Sequence, residues 1–223
     1  MNLSYTIICI VSDVLFKRNV AEELRWWKEH HDGRTAAVVE GATGVGKNTV
    51  VRGFVEADYR TSIILDLARE PSKVLDLFRD GSDPDRFFLR LQLIKAVDLH
   101  ERESEVVFDN IQSHPRAREM VKQLVEDHRY DYIEVGSGIS LRRNVRGIRI
   151  PSEEHHITMH PMDFGEWLRA NGDTASENIL RRFLDSREPL GPSVHMRMMD
   201  RFGLYMVVGA CRRLSTSTSA PTT

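Results

Sequence analysis

The fold is decided by one short stretch of sequence, Val38-Val39-Glu40-Gly41-Ala42-Thr43-Gly44-Val45-Gly46-Lys47-Asn48-Thr49. Glycines at this spacing let the backbone turn tightly, so that successive N–H groups point at phosphate groups from the start of a helix. Lys47 adds a positive charge for the same phosphates, and the spacing therefore predicts a phosphate-binding loop, or P-loop. Asn48, however, stands where such a loop carries a Ser or Thr hydroxyl for magnesium. Nucleotide binding and nucleotide hydrolysis are thus separate questions.

The sequence around the loop alternates short apolar runs with helical patterns. The runs of strand length cover residues 36–40, 62–66, 105–109, 132–136 and 156–159. Helical patterns precede the loop, follow it over residues 47–57 and recur over residues 115–127. This alternation is typical of a parallel sheet covered by helices. We therefore predict an α/β P-loop NTPase fold with about five strands and a small helical C-terminal extension.

The composition indicates an ordinary soluble domain. The 223 residues are 41% hydrophobic and 29% charged, which is enough to bury a sizeable core. A formal net charge of -2 gives no strong nucleic-acid signal. The apolar run over residues 5–11 is too short to cross a bilayer, and Cys9 and Cys211 lack disulfide or metal-ligand spacing. We expect a cytoplasmic protein without a membrane partner.

Two acidic residues end predicted strands. Asp109 ends an apolar strand about sixty residues after the loop, where P-loop proteins place the carboxylate that organises the magnesium ion. Asp66 ends another predicted strand. Two interpretations are open for Asp66, namely an approach to the nucleotide and a local capping role.

Two groups of side chains also keep more than one interpretation. Four arginines follow the predicted strand at 132–136, and they are either a solvated basic loop or a source of an arginine finger that reaches a phosphate: Arg142, Arg143, Arg146 and Arg149. Three histidines lie close in sequence but have no accompanying carboxylate or thiol at a metal-ligand spacing: His155, His156 and His160.

Four stretches together resemble the prokaryotic AAA-type ATP-binding proteins. These stretches are the P-loop, Phe108-Asp109-Asn110-Ile111-Gln112, Val135-Gly136-Ser137 and Met159-His160-Pro161-Met162-Asp163-Phe164-Gly165-Glu166-Trp167-Leu168. The resemblance implies a AAA-like parallel sheet, ATP and Mg²⁺ as ligands and an ATPase activity. It also implies a homo-oligomer as one outcome, while the protein client stays unknown. Members of that family usually continue with a second domain of about the same length.

The resemblance assigns roles to individual residues. Nucleotide contacts fall on Gly41, Ala42, Thr43, Gly44, Val45, Gly46, Lys47, Asn48 and Thr49. The metal-organising positions are Asn48 and Asp109, and Ser137 is the polar sensor near the γ-phosphate. The catalytic set consists of Lys47, Asp109, Asn110 and Ser137.

Two residues depart from the family pattern. The family has Thr or Ser where Asn48 stands, and Glu where Asn110 stands. An Asn side chain can hydrogen-bond the attacking water but cannot accept its proton. We therefore expect ATP binding with slow or impaired hydrolysis. The alternatives are a regulatory module that binds nucleotide without hydrolysing it, and a nonfunctional gene fragment.

The predicted organisation has four parts. Residues 1–33 form an N-terminal segment and helix, residues 34–162 the P-loop ATPase core, residues 163–209 a helical extension and residues 210–223 a disordered tail. The tail is Arg-rich and then rich in Ser and Thr. We hypothesise that a frameshift replaced the second domain with this tail, because a codon choice exists that restores a family-like phrase in another frame.

Overall fold

The structure is a computed structural model that describes residues 17–79, 83–137 and 154–208. Its strands are β1 (Ala36–Gly41), β2 (Thr61–Asp66), β3 (Ser104–Asp109), β4 (Asp131–Gly136) and β5 (Glu154–Met159). Its α-helices are α1 (Asn19–His31), α2 (Lys47–Asp58), α3 (Ser72–Leu75), α4 (Pro84–Lys95), α5 (Pro115–Asp127), α6 (Phe164–Ala170), α7 (Ser176–Ser186) and α8 (Pro192–Val208). Two short 3-10 helices follow α3 and β3, at Asp76–Phe78 and Ile111–Ser113.

The described strands form one sheet in the order β2-β3-β4-β1-β5. Each pairing in this sheet is parallel. The strand that leads into the P-loop therefore has a neighbour on each side, and the carboxyl ends of the strands lie along one edge of the sheet. These observations confirm the predicted α/β fold with a five-stranded parallel sheet and helices.

The sheet is buried on both faces, as its nearly continuous apolar strands require. Along β1, Ala36 and Val38 belong to a hydrophobic cluster on one face, while Ala37 and Val39 belong to a cluster on the other. Helices α4 and α5 contribute to the first cluster, and α1 and α2 contribute to the second. Side chains such as Phe54 are almost fully buried, and each contributes roughly 1.5–3 kcal/mol to stability.

Contacts divide the described residues into two compact units. One unit is Val20–Met159, and it contains the sheet and the P-loop. The other combines residues 17–19 with residues 160–208. The predicted boundaries at residues 34 and 163 stay a prediction.

The second unit has a small core of its own. Helix α6 begins with a capping box, because the Asp163 carboxylate accepts from the Glu166 N–H and the Glu166 carboxylate accepts from the Asp163 N–H. Behind this cap, Trp167 and Leu168 are buried against Tyr205 and other apolar side chains. Within the described ranges, no helix combines the length and the apolar content needed to span a membrane.

Several sequence predictions lie outside the described residues. They concern the apolar run over residues 5–11, the four arginines between residues 142 and 149, and the tail over residues 210–223. The frameshift hypothesis depends on that tail and is therefore also outside the described part of the chain.

Candidate nucleotide site

The P-loop connects the carboxyl end of β1 to the first residue of α2. Gly44 and Gly46 have φ angles of 87° and 97°, a left-handed conformation that glycine adopts with little strain. Gly41 is required for a different reason, because a Cβ atom there would lie 2.2 Å from the carbonyl oxygen of Met159 on β5. The glycine spacing in the sequence therefore corresponds to three backbone positions that disfavour a side chain.

Lys47 is held over this loop by two hydrogen bonds. Its Nζ donates to the carbonyl oxygen of Gly41 at 2.8 Å and to that of Ala42 at 2.9 Å. Burial lowers the pKa of Lys47, and the nearby Asp109 carboxylate acts in the opposite direction. Residues 42–44 are exposed. The ammonium group is thus positioned by backbone oxygens at an open loop, where phosphate oxygens of a nucleotide could replace them as acceptors.

Asp109 ends β3 and is buried, with both carboxylate oxygens hydrogen-bonded. Oδ1 accepts from the backbone N–H of Asn110 at 2.9 Å, and Oδ2 accepts from the side-chain amide of Asn48. Burial raises the pKa of Asp109, the Asn110 N–H opposes that shift, and Asp66 raises it further. The structure therefore brings the two predicted metal-organising residues, Asn48 and Asp109, into direct contact.

Asn110 follows Asp109 in a left-handed backbone conformation, with φ 55° and ψ 40°. Its Nδ2 donates to Oδ1 of Asp66 at 2.8 Å, and its Oδ1 accepts from Nε2 of Gln112 at 3.4 Å. Asp66 and Asp109 are register partners on β2 and β3. The Asn110 amide therefore both donates and accepts a hydrogen bond within the protein.

Asp66 fits both interpretations that the sequence left open. Its Oδ1 accepts from the backbone N–H of Ala68 at 3.2 Å, which caps the turn after β2. The same oxygen accepts from Asn110, so Asp66 is also part of the candidate site. Gln112 was not assigned a role from the sequence, although it belongs to the quoted stretch over residues 108–112. Its only sequence signal is that position.

The remaining predicted site residues lie at the same edge of the sheet. Ser137 directly follows β4, and β4 is placed between the P-loop strand and the strand of Asp109. Val45 belongs to the loop, and Thr49 lies in the first turn of α2. Thr49 is one residue beyond Asn48 on the helix and therefore points about 100° away from it.

The histidines on β5 have separate environments. His155 packs its ring against the rings of Trp26 and His31, at centroid distances of 5.8 and 4.7 Å. His156 places Nε2 2.9 Å from Glu154. Over the described ranges, no group of three or more His, Cys, Asp or Glu side chains is arranged to hold a metal ion.

A P-loop after a buried strand, a carboxylate at the end of a neighbouring strand and a parallel sheet define a P-loop nucleotide-binding module. A family model described as an AAA domain matches residues 33–168, which is more than half of the chain. The chain therefore belongs to the AAA domain family. This match confirms the predicted AAA-type P-loop ATPase module.

Two solved structures are similar to this chain. The Orc1 protein of Aeropyrum pernix in complex with DNA has 16% identity and a TM-score of 0.46, over 75% of this chain and 51% of that chain. Cdc6p from Pyrobaculum aerophilum has 15% identity and a TM-score of 0.44, over 76% of this chain and 53% of that chain. This chain thus spans about half the length of either protein. Among curated proteins, none matches significantly.

Family membership makes this chain an ATP-binding AAA-type protein. Proteins of this family generally bind ATP with Mg²⁺, and the family suggests oligomerisation. The complex with DNA is a finding about the Orc1 protein. The sequence of this chain gives no strong nucleic-acid signal, and its relation to nucleic acid stays a prediction.

The contact between Asn48 and Asp109 does not fit a magnesium ion shared by these two side chains. Magnesium binds oxygen lone pairs, but the group of Asn48 that faces Asp109 is an N–H₂ donor. Its hydrogens carry partial positive charge and occupy the side of the carboxylate that a cation would use. The two predicted metal residues are therefore neighbours, in an arrangement suited to a hydrogen bond.

Proposed function

We propose that this chain is a AAA-type protein that binds ATP in its P-loop and hydrolyses it slowly. The observation that carries the proposal is the hydrogen bond from the Asn110 amide to Asp66. The position from which the family supplies its catalytic carboxylate holds a neutral amide here, and a neighbouring strand holds that amide in place.

Binding depends on parts of the site that are intact. In the proposal, the N–H groups of the loop and the ammonium group of Lys47 contact the phosphates of ATP. Asp109 lies beside them, and Ser137 serves as the polar sensor near the γ-phosphate. The left-handed conformations of Gly44 and Gly46 support this assignment, because the tight turn of a phosphate-binding loop requires such backbone angles.

Hydrolysis depends on a proton acceptor for the attacking water. An amide has no basic lone pair at neutral pH, and the oxygen of Asn110 already accepts from Gln112. Loss of general-base assistance costs on the order of 10²- to 10⁴-fold in rate. We therefore expect the affinity for ATP to be retained and the hydrolysis of ATP to be slow.

The structure also predicts how turnover can be restored. A carboxylate introduced at position 110 alone would face the carboxylate of Asp66, and like charges at hydrogen-bond distance repel. The exchange variant Asp66→Asn/Asn110→Glu avoids this repulsion, because the amide at position 66 can donate to the carboxylate at position 110. The exchange moves the carboxylate from the end of β2 to the residue after β3 and keeps the number of charges constant.

The test measures ATP affinity by calorimetry and phosphate release on the same preparations. We expect ATP binding by the unmodified chain, little gain from Asn110→Glu and a gain of about 10²-fold in phosphate release for the exchange variant. Lys47→Ala is the background control, and Asp66→Asn alone controls for the loss of the first carboxylate. Normal turnover by the unmodified chain, with no gain in either Glu variant, would contradict the proposal.

A second candidate is a regulatory module that binds ATP without hydrolysing it. Asn48 favours this candidate, since it stands in place of the usual hydroxyl and its amide donates to Asp109. In that case phosphate release stays at background, while ATP changes the melting temperature or the oligomeric state. A nonfunctional fragment would bind no ATP at all.

A further inference from the structure

The carboxyl edge of the sheet contains two carboxylates and two amides in matched pairs. Asn48 on α2 donates to Asp109 on β3, and Asn110 donates to Asp66 on β2. Because Asp66 and Asp109 are register partners on adjacent strands, the two pairs lie side by side. Both departures from the family pattern therefore contact the same pair of acidic strand ends.

Each amide does for its carboxylate part of what a cation would do. Two neighbouring carboxylates repel each other, and a bound divalent ion can offset that repulsion. Here Asp109 accepts one N–H bond at each oxygen, from Asn48 and from the Asn110 backbone. Asp66 accepts from Asn110 and from the backbone of Ala68. Neutral donors thus satisfy both oxygens of Asp109 and Oδ1 of Asp66, while Oδ2 of Asp66 lies 3.7 Å from the exposed guanidinium group of Arg69.

A magnesium ion would have to displace one of these donors. To reach Oδ2 of Asp109 directly, the ion must break the hydrogen bond from Asn48 and turn the amide away. In exchange, the ion would be bound by the neutral amide carbonyl of Asn48. This side chain is longer than that of Ser or Thr, which would offer a compact hydroxyl. The loop backbone and Lys47 do not need the ion, because they contact phosphate oxygens themselves.

We propose that this site binds ATP without Mg²⁺, with the Asn48 amide standing where the family places the cation and its hydroxyl ligand. The inference rests on the proposed function, since it describes how the same loop holds the same nucleotide. It assigns Asn48 as the residue that sets metal dependence. Asp66 and Asn110 support that role by fixing the backbone and the charge around Asp109.

The test is a calorimetric titration of ATP into the full chain, in excess EDTA and in millimolar Mg²⁺. We expect the two Kd values for the unmodified chain to agree within about threefold. Asn48→Thr restores a hydroxyl and should make binding at least about tenfold tighter in Mg²⁺ than in EDTA. Asn178→Thr, on the exposed surface of α7, is the matched control and should behave like the unmodified chain.

The outcomes separate this inference from the function on which it rests. Absence of ATP binding in both buffers would overturn the proposed function. Binding by the unmodified chain that weakens about tenfold or more in EDTA would overturn only the metal independence. Equal affinities for Asn48→Thr in the two buffers would overturn the role of Asn48. If Asn48→Thr does not fold, Asn48→Ser provides the same hydroxyl with a smaller side chain.

Discussion

Two pairs of acidic residues lie at opposite ends of the same sheet and are stabilised differently. The carboxyl-end pair is Asp66 and Asp109, beside the P-loop. The amino-end pair is Glu105 and Asp131, which are register partners on β3 and β4. In each pair two carboxyl groups meet across neighbouring strands, so the difference lies in what surrounds them.

The amino-end pair is buried beside a cationic side chain and a tyrosine hydroxyl. Asp131 accepts from Arg102 Nη1 at 3.0 Å and from the hydroxyl of Tyr59 at 2.8 Å. Burial raises the pKa of Glu105 well above its usual value, and Asp131 adds to that shift. Burial therefore favours the neutral form of Glu105, and the pair is a buried structural element.

The hydrogen bonds to the carboxyl-end pair come from neutral donors, and the guanidinium group that pairs with Asp66, from Arg69, lies 3.7 Å away on an exposed side chain. Its Asp66 side chain is 31% exposed, in contrast to 3% for Asp131. Amide donors can exchange for ligand atoms at a lower cost than a buried ion pair can be broken. Two acids on adjacent strands are thus buried at the amino end of the sheet, and they are more exposed at the carboxyl end, where we propose that the nucleotide binds.

The largest expected effect is at the amino-end pair. Arg102→Ala leaves Asp131 buried beside Glu105 without its cation, and we expect the free energy of unfolding to fall by about 3 kcal/mol. Urea denaturation measures this loss. Arg60→Ala, which removes an exposed ion pair with Glu103, is the control and should cost less than about 1 kcal/mol. Equal losses in the two variants would remove the structural role of the amino-end pair.

A comparable effect on binding, without a loss of stability, is expected at the P-loop. Lys47→Ala removes the ammonium group that faces the phosphates, and ATP affinity should fall by about 10²-fold. Calorimetry measures the affinity, and urea denaturation checks that stability is kept. Lys73→Ala, on an exposed part of α3, is the control. Unchanged affinity in Lys47→Ala would show that the nucleotide binds elsewhere.

A buried carboxyl group between the two ends predicts a pH dependence. Burial raises the pKa of Glu134 on β4 to about 8, and Glu154 acts in the same direction. The folded chain therefore holds a proton that the unfolded chain releases above the ordinary value of 4.5. As pH rises from 4.5 to about 8, this group lowers the free energy of unfolding.

The size of that effect is on the order of a few kcal/mol. Glu134→Gln keeps the shape and removes the titration, so the stability of this variant should vary less between pH 5 and pH 8. Urea denaturation across this range measures the difference. Parallel pH profiles for the two chains would mean that Glu134 is ionised in the folded state.

The smallest effect concerns the Asp163 carboxylate, which accepts from the Glu166 N–H and from the side-chain amide of Asn19. Asp163→Ala removes the capping box of α6, and we expect a loss of about 1 kcal/mol in the free energy of unfolding. Thermal denaturation measures the loss, with the exposed Asp185→Ala as its control. An equal melting temperature for both variants would show that this cap contributes nothing.

The P-loop was predictable because its signal is local. Three glycines and Lys47 within seven residues determine a backbone path, and the structure has the left-handed angles that this spacing requires at Gly44 and Gly46. Strands β1 to β4 were predictable as well, since each contains an apolar run, whereas β5 begins at Glu154, before the run predicted at residues 156–159. Family membership then followed from motifs that are themselves short stretches.

The pairing of acids and amides was not predictable from one sequence. Asn110 and Asp66 are 44 residues apart, and Asn48 and Asp109 are 61 residues apart. These contacts require β2 to lie beside β3, and the first turn of α2 to lie near the carboxyl end of β3. Strand propensity determines neither arrangement. The amino-end pair was missed for the same reason, because its meaning arises only from the register of β3 and β4.

In our proposal, the Asn110 amide, held by Asp66, allows ATP binding and makes ATP hydrolysis slow. The most direct test loads the unmodified chain and the exchange variant Asp66→Asn/Asn110→Glu with ATP, and then follows phosphate release in a single turnover. We predict ATP binding by both chains and release about 10²-fold faster in the exchange variant. Equal release rates at full ATP occupancy would contradict the account.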